Sequence, residues 1–349
     1  MLLLALLATV LPERVAHAAP LAFITNQGSH DVSVLDLAEP VRVVATVPVG
    51  AAPAGVVASV AAGRVFVANA AGNSVSVIDL ARGQVVDTFA AGAGAVGIDA
   101  SADGRRLFVV DWYGAALRVF DARSHAPLAQ VDLGAAPAGV VVNGDGSVAW
   151  VAERDDDRIA RIEVGRTDRS SSSSSSSEAD TAAVTARLTD RIGVGSHPFA
   201  LLLDAPRQRL YALNVQSDSV SVIDTATRRV IATLATGHAP YGAALADGGR
   251  LLYVTNQHAD SVSVFDADTL APLRTLTGFG YPEGIAAHAD RVYVVNWMDD
   301  NLQVLDARSG TRLQSVDLGR NPRGFGAFIA ATDALPSHPA PGKSPSPPP

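Results

Sequence analysis

An all-β fold, a closed ring of seven four-stranded blades, follows from three observations on this 349-residue chain. First, one motif is written seven times: an apolar run ending in Asn or an acid, then a Ser-Val-Ser-Val-Ile-Asp-like run. The copies read AFITN…DVSVLD, VFVAN…SVSVID, LFVVD…ALRVFD, AWVAE…RIARIE, LYALN…SVSVID, LYVTN…SVSVFD and VYVVN…NLQVLD. Second, the first runs end at Asn26, Asn69, Asp111, Glu153, Asn214, Asn256 and Asn296, at spacings of 43, 42, 42, 61, 42 and 40. A period near 42 made of strands is that of a propeller blade. Third, residues 21–330, less the excess of the one long gap, divide into seven units of about 42 and leave no room for an eighth.

Each unit reads as four strands. In the second, Ala54–Ser59 follows a Gly-x-x-Pro-x-Gly turn, Arg64–Ala68 follows Gly63, Ser74–Leu80 alternates polar and apolar residues, and Gln84–Ala90 completes the set. The turn recurs at Gly50/Pro53/Gly55, Gly134/Pro137/Gly139, Gly237/Pro240/Gly242 and Gly319/Pro322/Gly324, with variants at Gly92/Gly97, Gly195/Pro198 and Gly278/Pro282/Gly284. Its glycines are expected to supply positive φ and its proline a fixed φ. The chain opens on a second strand (Ala22–Thr25) and closes on a first strand (Gly324–Ile329). The C-terminal strand is therefore expected to become the innermost strand of the N-terminal blade, which removes the open edges.

Outside the repeat, residues 1–18 read as a cleaved signal peptide: Met1–Leu11 is apolar but too short to span a bilayer, and Ala16-His17-Ala18 offers a cleavage site. No Lys or Arg precedes the apolar run. No later stretch is apolar for long enough to span a membrane, so a periplasmic or secreted monomer is expected. Residues 165–183, with eight serines at 170–177, form an insertion between the third and fourth strands of blade four, and residues 336–349 form a Pro-rich tail. Both compositions read as disordered.

With 48% hydrophobic residues the chain can bury a large core, and the absence of cysteine excludes disulfides, thiolate metal sites and cysteine nucleophiles. A net charge of -8 with no basic cluster argues against nucleic acid as a partner. Gly92-Ala93-Gly94-Ala95-Val96-Gly97 matches a dinucleotide fingerprint in letters only, since a strand and not a helix follows it. The strand-ending Asp79, Asp121, Asp224, Asp266 and Asp306 read as turn acceptors.

The LYVTN…SVSVFD segment (Leu252–Asp266), the Gly-x-x-Pro-x-Gly turns and the 42-residue period resemble the YVTN-repeat family of seven-bladed β-propellers, YncE-like exported proteins among them. The resemblance covers residues 21–330. It implies the fold but no catalytic motif and no cofactor. The family and its relatives include exported proteins of unknown role, surface-layer-like proteins, a DNA-binding member, propeller subunits of quinone-dependent amine dehydrogenases and, more widely, lactonases.

Function is therefore sought where the copies differ. The turn into the first strand and the loop between second and third strands share one face of each blade, and seven such pairs are expected to build a funnel at the channel mouth. Blades one and two offer mostly small groups there, with His30 an exception. The others offer Asp111, Trp112, Tyr113, Glu153, His197, His238, Tyr241, His258, Glu283, Trp297 and Arg323, with Phe199, Phe279, Tyr281, Met298 and Arg320 beside them. Aromatic groups with a few convergent polar ones make a binding site. The expectation is a non-catalytic scaffold binding a protein, glycan or small ligand through this face. The alternative is an enzyme or enzyme subunit, either a lactonase-like hydrolase or the partner of a quinone-dependent dehydrogenase. A metal on His197, His238 and His258 with Glu153 or Glu283, or acid-base work by Asp111, Glu153 or Glu283 with Arg323, would be its chemistry.

Overall fold

The computed structural model describes residues 20–166 and 183–331. They form seven four-stranded antiparallel sheets arranged in a ring, each in the meander order expected of a blade. Blade two runs Pro53–Ser59, Arg64–Asn69, Ser74–Asp79 and Gln84–Ala90, and blades three to seven repeat it from inner strands that begin at Ala95, Pro137, Pro198, Pro240 and Pro282. Blade four is the longest, with Arg158–Arg166 paired to Val184–Gly193 on either side of the insertion. The signal-peptide, serine-tract and Pro-rich-tail expectations lie on residues outside the described ones, apart from the insertion's flanks.

Blade one closes the ring as the sequence predicts. Leu21–Asn26, Asp31–Asp36 and Arg42–Pro48 supply three strands, and Ile329–Ala330 pairs with Leu21 and Ala22 as the innermost. That last ladder is short because the preceding residues lean the other way: Val56 N–H donates to the Phe325 carbonyl and Ala58 N–H to that of Ala327, each at 2.8 Å. The C-terminal segment thus clamps blade one to blade two.

Why blades wedge together is visible in the second strand, whose third residue is Phe23, Phe66, Phe108, Trp150, Tyr211, Tyr253 or Tyr293. All seven rings are buried. A large ring at one depth in every blade fills the widening gap between neighbouring sheets. The Tyr253 hydroxyl also donates to the Ala307 carbonyl of the next blade at 2.8 Å.

Of the turn glycines, Gly92, Gly278 and Gly324 have the expected positive φ, at 114, 90 and 59°, and the others act differently. Gly50, Gly55, Gly97, Gly139, Gly242 and Gly284 do not have positive φ. Instead the residue before the proline is left-handed: Ala52, Ala136, His197, Ala239, Tyr281 and Asn321, at φ between 47 and 59°. Glycine is needed for space. A Cβ on Gly55 would stand 2.2 Å from the Val96 carbonyl oxygen of the next blade, and one on Gly284 2.2 Å from that of Arg323. The first turn glycine makes room for the motif asparagine: a Cβ on Gly50 would meet Asn69 Nδ2 at 2.5 Å.

Candidate functional site

The inner strands of blades two to seven are bulged just after their first residue, a proline in all but blade three, as the register slip between Pro282 and Ile285 shows. One residue per blade therefore occupies the same level at the upper end of the channel, the end that carries the turns into the inner strands. Around the ring these residues are Ala54, Val96, Ala138, Phe199, Tyr241, Glu283 and Arg323. Blades two to four contribute small side chains; blades five, six, seven and one contribute two aromatic rings, an acid and a guanidinium.

The large members fill the opening. Phe199 stacks on Tyr241 with ring centroids 4.6 Å apart, and Phe325 packs on Phe199 at 5.1 Å. Trp112 covers Phe199 at 6.2 Å, and the Arg154 guanidinium lies 5.6 Å from the Trp112 ring. Phe199 and Tyr241 are buried. The expected open funnel is therefore a plug.

Within it, Glu283 is 1% exposed. Gln257 Nε2 donates to its Oε1 at 2.7 Å, and Arg323 Nε stands 3.2 Å from Oε2. Burial pushes the Glu283 carboxyl up to about 7, against the pull of Arg323 and Gln257. Burial works against the Arg323 charge, but Tyr241 and Glu283 outweigh it and hold the guanidinium above its ordinary value. Burial also raises the Tyr241 phenol.

Two acids singled out by the sequence lie inside their own blades. In the regular copies the motif asparagine donates into the next strand, as Asn69 does to Ser74 (3.1 Å) and Ser76 (2.9 Å). Asp111 instead accepts from Arg118, which stands where Ser76 does, and from the amides of Ala93, Gly94 and Gly114. Glu153 accepts from Arg158, Arg191 and the Gly134 amide. Burial opposes ionisation of Glu153, but these donors prevail and lower its pKa. Both residues are fully buried, and their carboxylates are engaged by their own blades.

The remaining candidates stand further out on the upper face. His238, His258, Tyr281 and Trp297 form an arc across blades six and seven, with successive ring centroids 5.1, 5.3 and 5.4 Å apart. A hydrogen bond of 3.0 Å links His258 Nε2 to the Tyr281 hydroxyl, and His238 Nδ1 lies 2.9 Å from Asp218. His197 lies apart, against Asp155 and Asp157. Tyr113 and Met298 are 76% and 64% exposed. Among the described residues no group of three His, Cys, Asp or Glu side chains is placed to hold a metal ion.

One set of residues, His30 apart, escaped the reading of the sequence. The last residue of each loop between second and third strands is left-handed: His30, Asn73, Ala115, Asp157, Asp218, Asp260 and Asp300. Five of them reach the next blade, His30 Nδ1 by accepting from the Ala52 amide at 3.1 Å. Asp157 accepts from the His197 amide at 2.8 Å, Asp218 from Ala239 at 2.9 Å, Asp260 from Tyr281 at 2.9 Å and Asp300 from Asn321 at 2.7 Å. The signal was present as a recurrent Asp, Asn or His immediately before the third strand.

Below the plug the channel widens into a cavity of about 350 Å³. Its walls are Ile98, Val140, Leu201, Leu202, Leu245 and Ile285 with small residues between them, and Asp99 and Glu283 are the acids on it. The channel opens downward: the residues after the proline are mostly buried, whereas Gly326 and Ala327 lower down are exposed.

Fold and ring together define a seven-bladed β-propeller. Residues 19–146 match the family model described as YNCE-like beta-propeller, and the seven-bladed ring agrees with that match. No curated protein matches it. Among solved structures it is similar to a functionally unknown protein from Desulfotomaculum acetoxidans DSM 771, with 12% identity, a TM-score of 0.71, and coverage of 89% of this chain and 98% of that one. It is also similar to the hydrazine synthase of Kuenenia stuttgartiensis, with 18% identity, a TM-score of 0.64, and coverage of 77% and 87%. At these identities the likeness shows the fold. No helix among the described residues is long and apolar enough to cross a membrane.

Proposed function

We propose that this protein is an exported, non-catalytic binding scaffold that holds a partner protein against the upper face of the propeller. The observation that carries the reading is the arc His238–His258–Tyr281–Trp297 with the exposed Met298 beside it, faced across the plug by the exposed Tyr113. Aromatic residues and Met are enriched at interfaces, and loops held by a rigid scaffold commonly carry function. The apolar leader supports export.

The test places a photo-crosslinking residue at Tyr113, at Met298 and, as a control, at Ile231 on the outer strand of blade five. The full-length chain is expressed in its own host, which is then fractionated. Adducts to one protein from positions 113 and 298 but not 231, in the exported fraction, are expected. Equal labelling from all three, or adducts only from 231, overturns the reading.

A second reading, the propeller of an enzyme assembly, is favoured by one observation: a hydrazine synthase is among the fold neighbours. Capture of an enzyme subunit by the same crosslinks selects it.

A further inference from the structure

We propose that the central channel binds a small apolar molecule bearing an ammonium group, admitted from the lower face and anchored on Asp99. Three observations converge on this class of ligand.

The first is the cavity itself. Its volume of about 350 Å³ is that of a small-molecule site, and its walls are predominantly aliphatic. Such walls favour an apolar body.

The second is the singularity of Asp99. The residues at its position in the other inner strands are Val57, Val141, Leu202, Ala244, Ala286 and Gly326. A carboxylate thus stands in a ring that is otherwise apolar. The Val142 amide donates to Oδ2 and the Ala100 amide to Oδ1, each at 2.8 Å, which fixes the group in place. Among the described residues no Lys, Arg or His forms an ion pair with it. The other acid on the cavity, Glu283, already has Arg323. A recessed carboxylate without a cation is a demand for one, because buried charge is stable only when paired. Burial raises Asp99 to about 6, so it is largely ionised at neutral pH.

The third is access. Trp112, Phe199, Tyr241 and Phe325 close the upper end, while exposed Gly326 and Ala327 mark the lower end as the open one. A ligand entering from below meets the level of Asp99 before the plug.

Calorimetric titration of the mature chain with n-hexylammonium, 1-hexanol and hexanoate tests the proposal. Hexylammonium is expected to bind at least tenfold more tightly than hexanol, and hexanoate not to bind, because a charge-assisted hydrogen bond distinguishes the three. Asp99→Asn, whose side-chain oxygen can still accept the Val142 amide, should bring hexylammonium to the level of hexanol. Ala286→Phe, which fills the cavity at the same depth, should abolish binding of both. Equal affinity for the amine and the alcohol, undiminished amine binding by the Asp99→Asn protein, or no binding of any probe overturns it. The crosslinks at 113 and 298 are unaffected by either outcome.

Discussion

Arg118 donates two hydrogen bonds of 3.1 Å to Asp111, seven residues before it, where in the preceding blade Asn69 donates one of 2.9 Å to Ser76. Acid with guanidinium has replaced amide with hydroxyl, and the two changes belong together. Arg118→Ser alone would leave the fully buried Asp111 carboxylate without its counter-charge, at a cost of about 3 kcal/mol. Asp111→Asn combined with Arg118→Ser rebuilds the regular pair. Urea denaturation of the two single variants and the double variant should give a coupling energy above about 1 kcal/mol, with the double variant more stable than Arg118→Ser.

Glu283 links stability to pH. Its folded pKa of about 7 lies above the ordinary 4.5, so the native state holds a proton that the unfolded state has released. Stability is then greatest below the ordinary value and falls as pH rises through the window up to about 7, by on the order of 3 kcal/mol at most. Asp99, raised from 3.8 to about 6, adds a loss of the same sign at slightly lower pH. Glu283→Gln should flatten the profile between about pH 5 and 7 while leaving the Asp99 share. Denaturation midpoints across that range decide it, and parallel profiles for the two proteins would contradict the assignment.

Gly284 is a spacing residue. Its missing Cβ would sit 2.2 Å from the Arg323 carbonyl oxygen and 2.4 Å from that of Gly324. Backbone cannot yield as a flexible side chain does, so Gly284→Ala should cost about 2 kcal/mol or more by forcing blades seven and one apart. Gly144, which has nothing within 4 Å of its Cβ position, should tolerate alanine with little change, and comparison of the two melting temperatures gives the measurement.

Asp260 joins blade six to blade seven by accepting the Tyr281 amide at 2.9 Å from a left-handed backbone at φ 46°. Asp260→Ala should cost about 1–2 kcal/mol, through the lost acceptor and the poor fit of alanine to that conformation. Asp260→Asn, which can accept the same bond, should be nearly neutral. The converse change is available in blade three, where Ala115 holds the same conformation with no side-chain acceptor. Ala115→Asn should raise the denaturation midpoint.

The degree to which the chain could be read in advance follows from the range of the forces. Strand alternation, turn acids and the 42-residue period are local, so the seven blades, the C-terminal closure and the turn role of residues such as Asp306, which accepts from the Ser309 amide at 2.7 Å, were legible. The site was legible only in part. Tyr241, Glu283, Arg323 and Trp112 do converge, but as a plug rather than an open funnel, because the depth at which Phe199 and Tyr241 meet depends on the bulge of their strands. Asp111 and Glu153 stood out as departures from asparagine, yet their partners Arg118 and Arg191 are identified only once neighbouring strands are paired.

The sequence by itself determined the number of blades, the strand order and the face on which the copies differ, since each depends on patterns a few residues long repeated at a constant interval. Only the tertiary structure decided which of the differing residues pack against one another and which are left exposed. It closed the upper end with four aromatic rings and left Asp99 on an open cavity below. The reason is geometric: a ring of seven strands brings together residues some forty positions apart, and whether a carboxylate there meets an arginine or an empty channel is settled by its depth along the strand.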